Sequence, residues 1–151
     1  ESFDLNIIAD VLEHLDNDKQ LLVETFSCLK TNGMVIITVP AYQHMWSYWD
    51  ERLNHKRRYS LATIKKKVSE SGLIVTKASY FNMLLYPFVY IYRIIFHWPK
   101  SRYSKKSDFS VFSSSIATGQ VFFYYILERF LLKIIDLPFG LSIFVVGRKY
   151  G

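Results

Sequence analysis

Phe3-Asp4-Leu5-Asn6-Ile7-Ile8-Ala9 and Met34-Val35-Ile36-Ile37-Thr38-Val39 are two short apolar runs rich in branched side chains, with a helical pattern between them. The runs are too continuously apolar for a half-solvated sheet, so each reads as a strand covered on both faces of a parallel one. Between them, Asn17 or Asp18 caps a helix whose Leu21, Leu22, Thr25, Phe26 and Leu29 recur at three- and four-residue spacing, and Asn32-Gly33 stops it. Pro40 ends the second run because it removes a ladder donor. Strand, helix and strand within about 35 residues form a right-handed crossover unit of an α/β protein.

Downstream, Ala41 to Tyr59 is a polar and aromatic loop, longer than a connection requires. Ser60 caps a helix to about Ser71, Gly72 closes it, and Leu73 to Tyr80 reads as a third strand. Asn82 to Trp98 is a helix apolar nearly all round except for Arg93, Ser101 to Ser115 is a Ser- and Lys-rich linker, and Gln120 to Asp136 is a second apolar helix carrying Glu128, Arg129 and Lys133. Leu141 to Gly147 is the last strand. Neither apolar helix reaches the roughly 20 uncharged residues of a bilayer span, so burial or an interfacial position is expected.

The chain has 151 residues, half of them apolar, enough for one core and too apolar for intrinsic disorder. Its net charge of +6 is concentrated at Lys56 to Arg58, Lys65 to Lys67 and Lys100 to Lys106. Such clusters meet phosphate, anionic lipid or water, and the middle run, spread around a helix, reads as solvated surface. The runs lie on different elements without a recognised reader module, so nucleic-acid binding is not expected. Cys28 is the single cysteine and has no disulfide partner, which points to a reducing, cytoplasmic setting and to a buried, small apolar role. Glu1 to Asp4 is not a targeting peptide, and a chain that opens directly into a buried strand is expected to belong to a longer one.

Ala9-Asp10-Val11-Leu12-Glu13-His14-Leu15, at the end of a strand and before Asp16 and a helix, resembles the post-strand motif of the class I S-adenosylmethionine-dependent methyltransferases, in particular the small-molecule enzymes of the ubiquinone-biosynthesis type. Leu29-Lys30-Thr31-Asn32-Gly33 before the second strand, Val39-Pro40-Ala41-Tyr42 after it, and Asp50 to Tyr59 match in order and spacing. The resemblance implies a Rossmann-like sheet in which these strands are the fourth to seventh, in the order 6-7-5-4, with the seventh antiparallel. It also implies that residues 1–151 are the C-terminal part of the domain, with a hydrophobic helical insertion at about 82–136 and the first three strands absent. No Gly-x-Gly-x-x-Gly occurs in the chain, so the family's cofactor loop is missing and the chain alone is expected to be inactive.

Ligands of open α/β sheets sit beyond the carboxyl ends of the strands. By the resemblance, Ala9, Asp10 and Val11 line S-adenosylmethionine. Methyl transfer to a hydroxyl needs alignment and removal of a proton, and His14 and His55 are the candidate bases; the competing reading of His14 is a helix-start packing residue. Some relatives of the ubiquinone type hold a divalent metal on acid-x-x-Glu-His, a pattern that Asp10, Glu13 and His14 reproduce. Alternatively, Glu13 serves as a helix-start carboxylate. Arg57, Arg58 and Tyr59 are candidates for gripping an anionic group on the acceptor, unless the arginines pair with Asp50 or Glu51. Tyr42 and Trp46, with Tyr48 and Trp49, offer flat apolar surface to an acceptor ring or chain, or else fill the core of the loop.

Aromatic and basic residues in succession over 82–106 and in 120–136 suit peripheral contact with a membrane, or a lid over the pocket. The sequence thus implies methyl transfer to a small or lipid-linked acceptor. Its rival is a catalytically inactive adaptor that docks on a membrane or a partner.

Overall fold

A computed structural model describes residues 2–97 and 126–150. In chain order it contains β1 (Phe3–Ala9), α1 (Asp18–Cys28), β2 (Leu29–Pro40), α2 (Tyr48–Arg52), α3 (Leu61–Glu70), β3 (Ile74–Phe81), α4 (Leu85–His97), α5 (described over 126–134) and β4 (Ser142–Arg148), with 3-10 turns at Leu12–His14 and Gln43–Met45. The strands form one sheet in the order β1-β2-β4-β3. β1 and β2 are parallel, and β4 runs antiparallel to both of its neighbours. This is the expected order, read from the other edge.

The local signals explain the helices. Asn17 caps α1 by accepting from the N–H of Gln20, and Ser60 caps α3 by accepting from the N–H of Thr63. Gly72, at φ +96, takes the left-handed turn that lets the chain leave α3. The end of α1 differs from expectation: it stops at Cys28, and β2 begins at once with Leu29. Two contacts outside the helix fix this end. The Ser2 N–H donates to Cys28 O, and Lys149 Nζ donates to Phe26 O and Leu29 O, taking carbonyls the helix leaves over. Asn32 and Gly33 then bond across to Lys149 inside the strand instead of closing the helix. Cys28, expected to be buried, is exposed on that last turn.

Registry assigns the faces. Val35, Ile37 and Val39 of β2 and Ile143 and Val145 of β4 point to one side, where Leu22 of α1 and Ile64 and Val68 of α3 complete the core. Leu5 pairs with Met34 and Ile7 with Ile36 on the other side. There Leu5, Met34 and Ile74 are exposed, and Ile7 is 62% exposed. β1 was expected to be covered on both faces; instead Leu5 and Ile7 leave one of its faces exposed among the described residues. A continuous apolar run does not say which of its two covers the same segment supplies.

α4 and α5 lie in the chain between β3 and β4. α4 turns Val89 inward and leaves Phe88, Ile91 and Ile94 exposed, while α5 leaves Leu127, Phe130 and Ile134 exposed. Among the described residues no helix is long and apolar enough to cross a membrane. The expected linker at 101–115, the basic run Lys100 to Lys106 and the first residues of the 120–136 helix lie outside the described residues.

Candidate active site at the mouth of the sheet

Asp10 follows β1 directly, its N–H donating to Thr38 O of β2 at 3.1 Å and its backbone turned to φ +51. That turn carries Val11 out as an exposed residue and starts the 3-10 turn of Leu12, Glu13 and His14. At the end of β2, Ala41 bridges to Tyr59, with the Tyr59 N–H donating to Pro40 O and the Tyr42 N–H to Tyr59 O. The long loop therefore leaves the mouth of the sheet at Ala41 and returns to it at Tyr59.

The loop is ordered by Asp50. Ser47 and Asp50 form a capping box that starts α2, with the Ser47 N–H 2.8 Å from Asp50 Oδ2. Arg58 grips the same carboxylate with Nε at 2.7 Å and a terminal nitrogen at 3.1 Å, and its other terminal nitrogen donates to Ala41 O. His55 Nδ1 donates to Asp50 Oδ1 at 2.9 Å. Burial alone raises the Asp50 pKa, but these donors and the Arg58 charge outweigh it and hold the carboxyl below its ordinary range.

Glu13 is the opposite case. It is 0% exposed, and neither carboxylate oxygen makes a hydrogen bond. Burial is the largest cause that pushes its pKa up to about 7; the charges of Asp10 and Asp50 add to this, while its own backbone N–H and the Arg58 charge offset only part. The Lys56 N–H donates to Glu13 O at 2.7 Å and brings the returning loop against the turn. The ring of His55 then stands edge-on to that of His14, with centroids 4.7 Å apart.

The expected site residues thus separate into two sets. Ala9, Asp10, Val11, His14 and His55 lie around the mouth. The metal set Asp10, Glu13 and His14 does not assemble as expected: among the described residues, the group with metal-ligand proximity is Glu13, His14 and His55, and Asp10 Oδ1 accepts from Thr38 Oγ1 instead. Glu13 does sit in the first turn of the 3-10 helix, as the helix-start reading expects, but its carboxylate oxygens are buried there without a hydrogen-bond partner.

Tyr59 is 1% exposed, its hydroxyl donating to Asp18 Oδ2 at 2.7 Å and lying 3.2 Å from Leu12 O, so it is a core side chain and not an acceptor contact. Arg58 is likewise bound to Asp50, and Arg57 lies against Asp16 O and 3.6 Å from Asp18. Lys67, read as solvated, bonds Asp18 at 2.7 Å.

Tyr42 stacks on Tyr80, with centroids 5.1 Å apart, and meets His44 and Tyr86; Tyr86 in turn stacks on Tyr90 of α4. Trp46 is half-buried beside them in sequence. The residue that sequence reasoning undervalued is Asp50, named only as a possible partner for arginine. Its signal was present in Ser47-x-x-Asp50, the spacing of a capping box.

The same architecture recurs in solved structures. Phosphoethanolamine N-methyltransferase 2 of Haemonchus contortus, in complex with S-adenosyl-L-methionine, matches over 99% of this chain and 34% of its own, with 14% identity and a TM-score of 0.54. A putative methyltransferase from Bacillus halodurans matches over 100% of this chain and 66% of its own, with 17% identity and a TM-score of 0.55. The chain has the fold of the class I S-adenosylmethionine-dependent methyltransferases. It spans about a third to two thirds of the length of these methyltransferase structures. The methyltransferase fold does not fix the reaction, because the [4+2]-cyclase SpnF also shares it, with 10% identity and a TM-score of 0.51. No family model and no curated protein matches the sequence.

Proposed function

We propose that the chain is the acceptor-side part of an S-adenosylmethionine-dependent methyltransferase acting on a small or lipid-linked acceptor. The observation that carries the reading is the placement of Asp10 to His14 and His55 together at the carboxyl ends of β1 and β2, where such sheets receive ligands. Ala9, Asp10 and Val11 would face the donor, and the rest of its cradle would come from residues outside this chain. Methyl transfer is an in-line displacement at a sulfonium, so the protein must align the nucleophile and take its proton. His14 and His55 are the groups at hand: the Nδ1 bond to Asp50 leaves Nε2 of His55 as the nitrogen with a free lone pair. Tyr42 and Trp46 would border the acceptor, and Arg57, the less buried of the two arginines, is the candidate for an anionic group on it.

The test is transfer of a labelled methyl group by the full-length protein to extracts of small phenols and lipids. Labelled product is expected, with turnover at least tenfold lower in His14→Ala and His55→Ala. Absence of both label transfer and S-adenosylmethionine binding would overturn the proposal.

A second reading draws on the exposed rows Phe88, Ile91, Ile94 and Leu127, Phe130, Ile134, with Arg129 and Lys133 beside the latter: an inactive adaptor that docks on a membrane or partner through 82–106 and 120–136. Flotation with anionic vesicles by a protein that transfers no methyl group would favour it. Flotation together with transfer would instead mark an enzyme working at the membrane surface.

A further inference from the structure

We infer that Asn82 and Glu128 form a hydroxyl-binding subsite for a polyhydroxylated acceptor, a sugar ring whose apolar face rests on the neighbouring aromatic side chains. The inference rests on the proposed methyl transfer and names the substrate class of that site. β3 runs antiparallel to β4, and β4 antiparallel to β2, so β3 points the same way as β1 and β2 and its carboxyl end opens at the same mouth. Asn82 is the residue that follows it, in the left-handed conformation at φ +60. Two oxygens there lack donors. Glu128, 5% exposed on α5, accepts from the Met83 N–H through Oε1 at 3.1 Å, which holds its carboxylate at the residue next to Asn82. Its Oε2 and the Oδ1 of Asn82 are buried without a hydrogen-bond partner. A buried acceptor left unpaired is costly, so two at one strand end call for a ligand that brings donors.

The surroundings are aromatic. The ring of Tyr86 lies 5.5 Å from that of Tyr42 and 5.7 Å from that of Phe139, centre to centre, and its hydroxyl is 3.3 Å from His44 Nε2. Phe139 reaches this position because Gly140 lies directly on the backbone of Phe81, where a Cβ would collide with Phe81 O. The hydroxyls of a sugar supply donors to both oxygens, and its C–H face packs on the rings. A phenol with one hydroxyl leaves one of the two oxygens unmet. An ammonium group could meet both, but a chain of net charge +6 disfavours a cationic acceptor.

Saturation-transfer NMR of the full-length protein with methyl hexosides of the gluco, manno and galacto series, and no methyl donor, reads the subsite directly. At least one hexoside should bind at millimolar concentration, more tightly than phenol or ethanolamine, with saturation strongest at the ring protons of one face. Glu128→Gln keeps an acceptor for the Met83 N–H but sets an amide N–H2 where Oε2 stood, and Asn82→Gly keeps the left-handed turn but removes Oδ1. Each should weaken hexoside binding roughly tenfold. No binding of any hexoside, or variants that bind as the parent does, would overturn the inference. Methyl transfer to a phenol without hexoside binding would sink the sugar subsite and leave the proposed function standing, whereas hexoside binding by a protein that transfers no methyl group would do the reverse.

Discussion

Two buried carboxylates stand at the same mouth of the sheet and are treated oppositely. Asp50 receives Arg58, His55 and Ser47, and its charge is stabilised well enough that its pKa falls. Glu13 is as deeply buried, receives no hydrogen bond, and has its pKa pushed up to about 7. Asp50 builds the loop, since it starts α2 and ties Arg58 to the end of β2. Glu13 builds nothing that the described residues reveal, which is why function is the better explanation for it. A buried charge with all its partners is architecture, and one with none is an opening for a ligand.

The largest expected effect comes from breaking the satisfied member. Asp50→Ala leaves the Arg58 guanidinium buried without its carboxylate and should cost about 3–5 kcal/mol, read as a lower denaturation midpoint. Asp18 is a second case of the same kind as Asp50: burial raises its pKa, but bonds from Lys67 and Tyr59 outweigh this and bring it below the ordinary carboxylate value of 3.8. A depressed folded-state pKa means the stabilisation is present above 3.8 and lost as pH falls through the folded value. Asp18→Asn should therefore lower stability by about 1–3 kcal/mol at pH 7 and have a shrinking effect below pH 3.8, measured by urea melts across the range.

Glu13→Gln should change stability by no more than about 1 kcal/mol, because no hydrogen bond is lost. A loss as large as that of Asp50→Ala would show that Glu13 is architecture after all. Smallest is the exposed pair of Lys66 and Glu70 at 3.8 Å, where Lys66→Ala should cost no more than about 0.5 kcal/mol.

The same contrast explains what the sequence could disclose. Signals local to a few residues were legible: the Asn17 and Ser60 caps, the Gly72 turn, and the ends of β1 and of β2 at Pro40 each follow from their neighbours in the chain. The order of the strands, with β4 between β2 and β3, came only from the resemblance, since pairing of Ile36 with Val146 leaves no local mark. Contacts across distance set the misses. Lys149 ends α1 at Cys28 by reaching back over the chain, and His55 displaces Asp10 beside Glu13 because the loop returns on Lys56 N–H. Tyr59 reads as an acceptor contact in its motif, yet Asp18, far off in sequence, draws its hydroxyl into the core.

The central claim is that the turn of Asp10 to His14, with His55 beside it, is where the methyl donor and acceptor meet. A crystal structure of the full-length protein with S-adenosylhomocysteine tests it most directly. The thioether sulfur is expected over the Ala9 to Val11 turn, on the side facing His14 and His55. A ligand bound away from the ends of β1 and β2, or one whose sulfur faces away from both imidazoles, would contradict it.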